Sequence, residues 1–149
     1  MSELVCLELS VLLWIAHVLV QAYMADEEFG LAYLLSSRDK QPAVKGVACG
    51  RATRAVNNYT ENFVPFVALA LTLIATGHGG GLGATVWIIA RILYLPAYLF
   101  GVTYVRTGLW GISIIGLLMM LGRFASSRTT PRQVGDYRVE KRLAIRMFS

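Results

Sequence analysis

Arg54, Asn58 and Glu61 stand at i, i+4 and i+7 within Arg51-Ala52-Thr53-Arg54-Ala55-Val56-Asn57-Asn58-Tyr59-Thr60-Glu61-Asn62-Phe63-Val64-Pro65. At about 100° per residue a helix brings the three within about 60° of one another, with Arg51 beside them. One stripe then carries guanidinium groups that grip carboxylates bidentately and a carboxylate suited to an ammonium group. The same residues admit a plainer use, with Arg51 and Arg54 as basic anchors at a membrane face and Asn57, Asn58, Glu61 and Asn62 joining helix to helix. Arg91, Tyr94 and Tyr98 form a second stripe at i, i+3 and i+7. Arg91 lies deep in an apolar run and needs a partner there. Glu61 and Glu8 are the acids in the predicted spans, and Glu61 is favoured, as a buried carboxylate paired with Arg91 or Arg54.

The elements that position these stripes are membrane helices. Phe63 to Thr76 falls short of the ~20 residues, at ~1.5 Å each, that cross ~30 Å of hydrocarbon, so this helix must begin earlier, at about Ala55. Pro65 frees the carbonyl of Glu61 and can bend the helix where the stripe ends. Gly77-His78-Gly79-Gly80-Gly81 closes it as a turn; without Gly-Lys-Ser/Thr or a preceding strand it is not a phosphate loop. The first helix runs from about Leu4 to Met24, the third from Leu82 to Val105 with Pro96 between the tyrosines, and the fourth from Leu109 to Phe124. Arg106 and Thr107 form the short link between the last two. His17 has no second ligand at metal spacing and reads as a hydrogen-bonded packing residue, so no metal site is expected.

Composition agrees with this placement. The chain has 149 residues, 56% hydrophobic and 15% charged, with a mean hydropathy of +0.55, too apolar for an ordinary soluble domain. Its formal net charge of +5 does not point to nucleic acid, because the basic residues cluster at the ends of apolar runs and in the tail. Cys6 and Cys49 lie near opposite ends of the first helix and its connector, which disfavours a mutual disulfide. The N-terminal segment reads as a retained helix and not a signal peptide.

Between the first two helices, Ala25 to Cys49 is a polar connector with one short amphipathic turn around Phe29 to Leu35. The expected organisation is a four-helix domain over 1–125 and a basic polar tail over 126–149, with Arg142 to Phe148 able to lie on an anionic membrane. The fold class is all-α: an integral, multi-pass membrane four-helix bundle running up-down-up-down. Orientation by basic residues is nearly balanced; the early helices place the connectors, and with them the site, at the cytoplasmic face, in a bacterial cell that of the inner membrane.

Ser37-Arg38-Asp39, Gly50-Arg51-Ala52-Thr53-Arg54-Ala55, Asn58-Tyr59-Thr60-Glu61-Asn62, Pro65-Phe66 and Arg91-Ile92-Leu93-Tyr94 followed by Tyr98 resemble one family. It is the membrane-associated proteins in eicosanoid and glutathione metabolism (MAPEG), here a bacterial-type member similar to microsomal glutathione transferases. The resemblance covers about Leu4 to Phe124 and implies a homotrimer with glutathione as co-substrate. The ligand would lie between the second helix of one subunit and the third and fourth helices of its neighbour. It also implies transferase or peroxidase chemistry on lipophilic substrates entering from the bilayer. Arg54, Asn58 and Glu61, then Tyr94 and Tyr98, match the glutathione-binding set, with Arg51, Asn62 and Arg91 added to it as neighbours.

Arg106 is the nearest match to the arginine that holds the thiolate, making Arg106 and Tyr98 the expected catalytic pair. The first-helix arginine of the family's eukaryotic enzymes has no clear counterpart here, Arg38 being a loose candidate. A guanidinium lowers a thiol's pKa from ~8.5, whereas a phenol near ~10 offers a neutral hydrogen bond, so Arg106 governs the thiolate and Tyr98 positions the ligand. Along a straight helix the two are ~12 Å apart, a gap that a break near Gly101 would shorten. The competing expectation is a non-catalytic tetraspan protein whose stripes serve assembly or bind lipid.

Overall fold

The computed structural model describes residues 1–37, 39, 42–79 and 81–128. The expectations for Arg38, Lys40, Gly80 and residues 129–149 lie outside them. The described chain is helical, with α1 (Glu3–Phe29), a single turn α2 (Leu31–Leu34), α3 (Val47–Ala75), α4 (Gly83–Leu99) and α5 (Thr103–Arg128). α1 and α5 are long and apolar enough to cross a membrane by length and composition; α4 is a shorter apolar helix.

The helices differ from the sequence expectation mainly at their ends. α3 starts at Val47, well before Ala55, because its entry is tied to the end of α1. The Glu28 carboxylate accepts from the backbone N–H of Lys45 at 2.5 Å and of Gly46 at 2.8 Å, and a negative group is favourable at a helix start. α4 stops at Leu99 instead of continuing to Val105, since Gly101 at φ 75° turns the chain into the left-handed region open to glycine. Arg106 and Thr107 are therefore not a link but part of the first turns of α5. Pro65 and Pro96 both lie inside uninterrupted helices.

Contacts between named residues give the directions. Tyr59 of α3 donates to the Ser10 carbonyl of α1 at 2.7 Å, while Glu28 meets Gly46, so α1 and α3 are antiparallel. Arg51 reaches Leu99 and Asn58 reaches Arg91, while Phe66 stacks on Trp87 at 3.9 Å and 7°, so α3 and α4 are antiparallel as well. α4 and α5 form the most extensively packed pair, and α1 packs on α3 and α4 but not on α5. Their close approach needs glycine: a Cβ on Gly83 would lie 2.7 Å from the Gly116 carbonyl oxygen, and one on Gly116 would lie 2.9 Å from the Trp87 nitrogen.

The main core joins Cys6, Tyr59, Phe66, Leu73, Trp87, Ile88 and Met120. A smaller cluster of Ala55, Tyr94 and Tyr98, backed by Leu95 and Leu109, lies toward the start of α3 and the end of α4. His17 packs its ring 4.4 Å from that of Tyr59 and bonds through Nδ1 to the Leu13 carbonyl at 2.8 Å, the packing role its isolation implied. Cys6 and Cys49 are both buried free thiols.

Candidate functional site

Small residues decide where the site opens. Ala52 and Ala55 on α3 are fully buried and let the helix sit close to its neighbours, so the longer Arg54, Asn58 and Glu61 on the adjoining face point past the contact. There they meet the ends of α4 and α5 around a cavity of about 410 Å³, lined by Arg54, Asn57, Asn58, Glu61, Tyr94, Tyr98, Arg106, Thr107 and Trp110. Six of the residues singled out in the sequence thus converge: Arg54, Asn58, Glu61, Tyr94, Tyr98 and Arg106. Its volume falls in the ~300–1,000 Å³ range of small-molecule sites.

The turn at Gly101 closes the distance that a straight helix leaves open. The Arg106 guanidinium carbon lies 4.8 Å from the centroid of the Tyr98 ring, a cation–π contact, and Tyr98 lies 5.5 Å from Tyr94 at an interplanar angle of 59°. Arg106 lays the face of its guanidinium on the Tyr98 ring, leaving donors in the plane of the group for an anionic partner.

Arg91 takes a different position from the one expected. It is 1% exposed and donates through Nη1 to Asn58 Oδ1 at 2.8 Å, with its guanidinium carbon 5.8 Å from the Trp87 ring and 5.1 Å from Tyr94. Its partner is the Asn58 amide and not Glu61, which is exposed on the single chain and makes no ion pair among the described residues. Helix face explains the difference: Asn58 is half-buried where α3 meets α4, while Glu61 is turned to the exposed side. Because a guanidinium only donates, it fixes which end of the amide faces it and leaves the Asn58 NH₂ as the group available to the cavity.

Two further expected ligand contacts are absent from the cavity wall. Asn62 is buried and returns its NH₂ to the Asn58 carbonyl at 2.9 Å, a bond within α3. Arg51 turns away and donates through Nη1 to the Leu99 carbonyl at 3.0 Å, at the end of α4. Conversely, Thr107 and Trp110 belong to the wall and were not expected; with the link placed at Arg106 and Thr107, the face of α5 that reaches the site could not be read. Asn57 was visible as a polar residue at membrane depth but lay off the stripe.

No curated protein and no solved structure matches the chain. Its sequence matches the MAPEG family over residues 5–126, a span holding all five helices but the outermost residues of α1 and α5 and every residue of the cavity wall. A family match of that length, on a helical chain with two apolar spans, makes this a membrane protein that belongs to the MAPEG family.

Proposed function

We propose that the chain is a membrane-bound glutathione transferase or peroxidase acting on lipophilic electrophiles or hydroperoxides. The observation that carries this is the Arg106 guanidinium over Tyr98, in the same cavity as Arg54, Asn58 and Glu61. The wall fits the tripeptide's chemistry. Arg54 and the Asn58 amide offer donors for carboxylates, Glu61 offers an acceptor for the ammonium, and Arg106 offers a fixed positive charge for the sulfur. Bound glutathione supplies a thiol whose sulfur attacks an electrophilic carbon or is oxidised by a hydroperoxide.

The chain's own part is to favour the ionised sulfur and to orient it. Arg106 stabilises negative charge beside Tyr98, while the Tyr98 hydroxyl contributes a neutral hydrogen bond that positions the ligand. Trp110 and the apolar outer faces of α4 and α5 offer a route for a substrate dissolved in the bilayer. The cavity faces the cytoplasm in this proposal, and a homotrimer closes its open side with neighbouring copies.

The non-catalytic alternative accounts for Arg51, Asn62 and Arg91, each of which makes a hydrogen bond within the chain. It leaves Arg54, Glu61 and Arg106 around an open cavity without a use. The deciding experiment is thermal unfolding of the detergent-purified chain with millimolar glutathione, where a site adds RT ln(1 + [L]/Kd), about 2.7 kcal/mol at a hundredfold excess over Kd. Titration of the ultraviolet thiolate band follows. Arg106→Ala should move that titration to higher pH with modest loss of binding, while Tyr98→Phe should weaken binding or rate with little shift. Absence of both stabilisation and a thiolate band rejects the proposal.

A further inference from the structure

We propose that Arg51 is a positioning residue that sets Arg106 against Tyr98 by capping the end of α4. This deepens the proposed function and rests on it for the chemistry, though the mechanical part stands on the fold alone. The end of α4 carries the features of a glycine-closed helix. Val102 donates its N–H to the Ala97 carbonyl at 3.0 Å, Gly101 donates to Tyr98 at 3.1 Å, and Gly101 holds φ 75°. The Leu99 carbonyl is left over by that pattern, and Arg51 of α3 supplies its donor at 3.0 Å.

A guanidinium at this point meets the negative end of the α4 dipole as well as the carbonyl. It also fills the space against Gly101: a Cβ there would lie 2.6 Å from the Arg51 guanidinium carbon, so turn and arginine occupy interlocking volumes. The chain leaving Gly101 enters α5 at Thr103, and the first turn of α5 presents Arg106 to the Tyr98 ring at 4.8 Å. Arg51 is on α3, the helix that also carries Arg54, Asn58 and Glu61. It therefore couples the helix expected to hold the ligand's charged ends to the hairpin expected to hold its sulfur.

The test uses full-length Arg51→Met, Arg51→Lys and Gly101→Ala in detergent. Hydrogen exchange of the Gly101 and Val102 amides is the readout that needs no ligand. Arg51→Met should speed it at least tenfold, Arg51→Lys should restore much of the protection, and Gly101→Ala should mimic Arg51→Met with Arg51 still present. Unchanged exchange in Arg51→Met, or in Gly101→Ala if the former does not fold, overturns the cap. With glutathione, Arg51→Met should move the thiolate titration toward that of free thiol while Kd changes less than about threefold. A lower melting temperature with an unmoved titration would make Arg51 merely structural and overturn the positioning role. A wild-type chain with no thiolate band but protected turn amides would instead reject the glutathione chemistry and leave the cap standing.

Discussion

At the scale of residues, Asn58 serves two masters with opposite demands. Toward the interior it accepts from buried Arg91, and toward the cavity, in the proposed function, it donates to the ligand. Asn58→Leu removes the acceptor and strands a guanidinium that is 1% exposed, which should cost about 3–5 kcal/mol in a reversible unfolding titration. Asn58→Asp separates the two roles. It gives Arg91 a full carboxylate, so stability should hold or rise, but it replaces the cavity donor with an acceptor and should weaken glutathione binding at least tenfold, measured by ligand-dependent unfolding. Equal binding by the aspartate variant would remove Asn58 from the ligand's contacts. Much of this was legible in the sequence, since the i, i+4, i+7 stripe depends only on helical period. Which acid or amide meets Arg91 was not, because residue counting locates a Cα along an axis and says little of where a long side chain ends.

At the scale of elements, the α4–α5 hairpin is set by glycines at both ends. Gly101 turns the chain, and Gly83 with Gly116 lets the two helices touch backbone to backbone. Gly116→Val would place its Cβ 2.8 Å from the Gly83 carbonyl oxygen and 2.9 Å from the Trp87 nitrogen, neither of which is a flexible side-chain end. The helices must move apart, at a cost of about 1–3 kcal/mol typical of overpacking, seen as a lower midpoint of unfolding. An unchanged midpoint would mean that this contact is loose. Apolar runs announced the long helices, but their ends were set by tertiary contacts: Glu28 anchoring the entry to α3, Arg51 capping α4. Hydropathy alone continued the third helix through Gly101 because Gly101, Val102 and Tyr104 do not interrupt an apolar pattern.

At the scale of the whole molecule, apolar surface covers the outside on every long helix, with Leu12, Leu19, Val64, Leu71, Ile89, Leu93, Ile115 and Leu118 exposed. That is the surface of a chain solvated by lipid or by its own copies, since water would oppose such a coat. Against it, Glu61 is an exposed charge at the middle of α3, with exposed Arg54 two turns nearer the helix start, both at the open side of the cavity. Charges at that depth need partners, and lipid tails provide none. In the proposed trimer a neighbour covers this side, so that Arg54 and Glu61 face protein and ligand instead of hydrocarbon. Native mass spectrometry in mild detergent should then give three copies, and glutathione should raise the fraction that stays assembled as detergent is increased, because a ligand held across a boundary stabilises the assembly by mass action. Glu61→Gln keeps the shape and removes the charge; it should reduce that ligand-dependent gain while leaving the intrachain Arg91–Asn58 contact intact. A clean monomer that binds glutathione as tightly as the assembly would place the complete site within one chain and remove the neighbour from it.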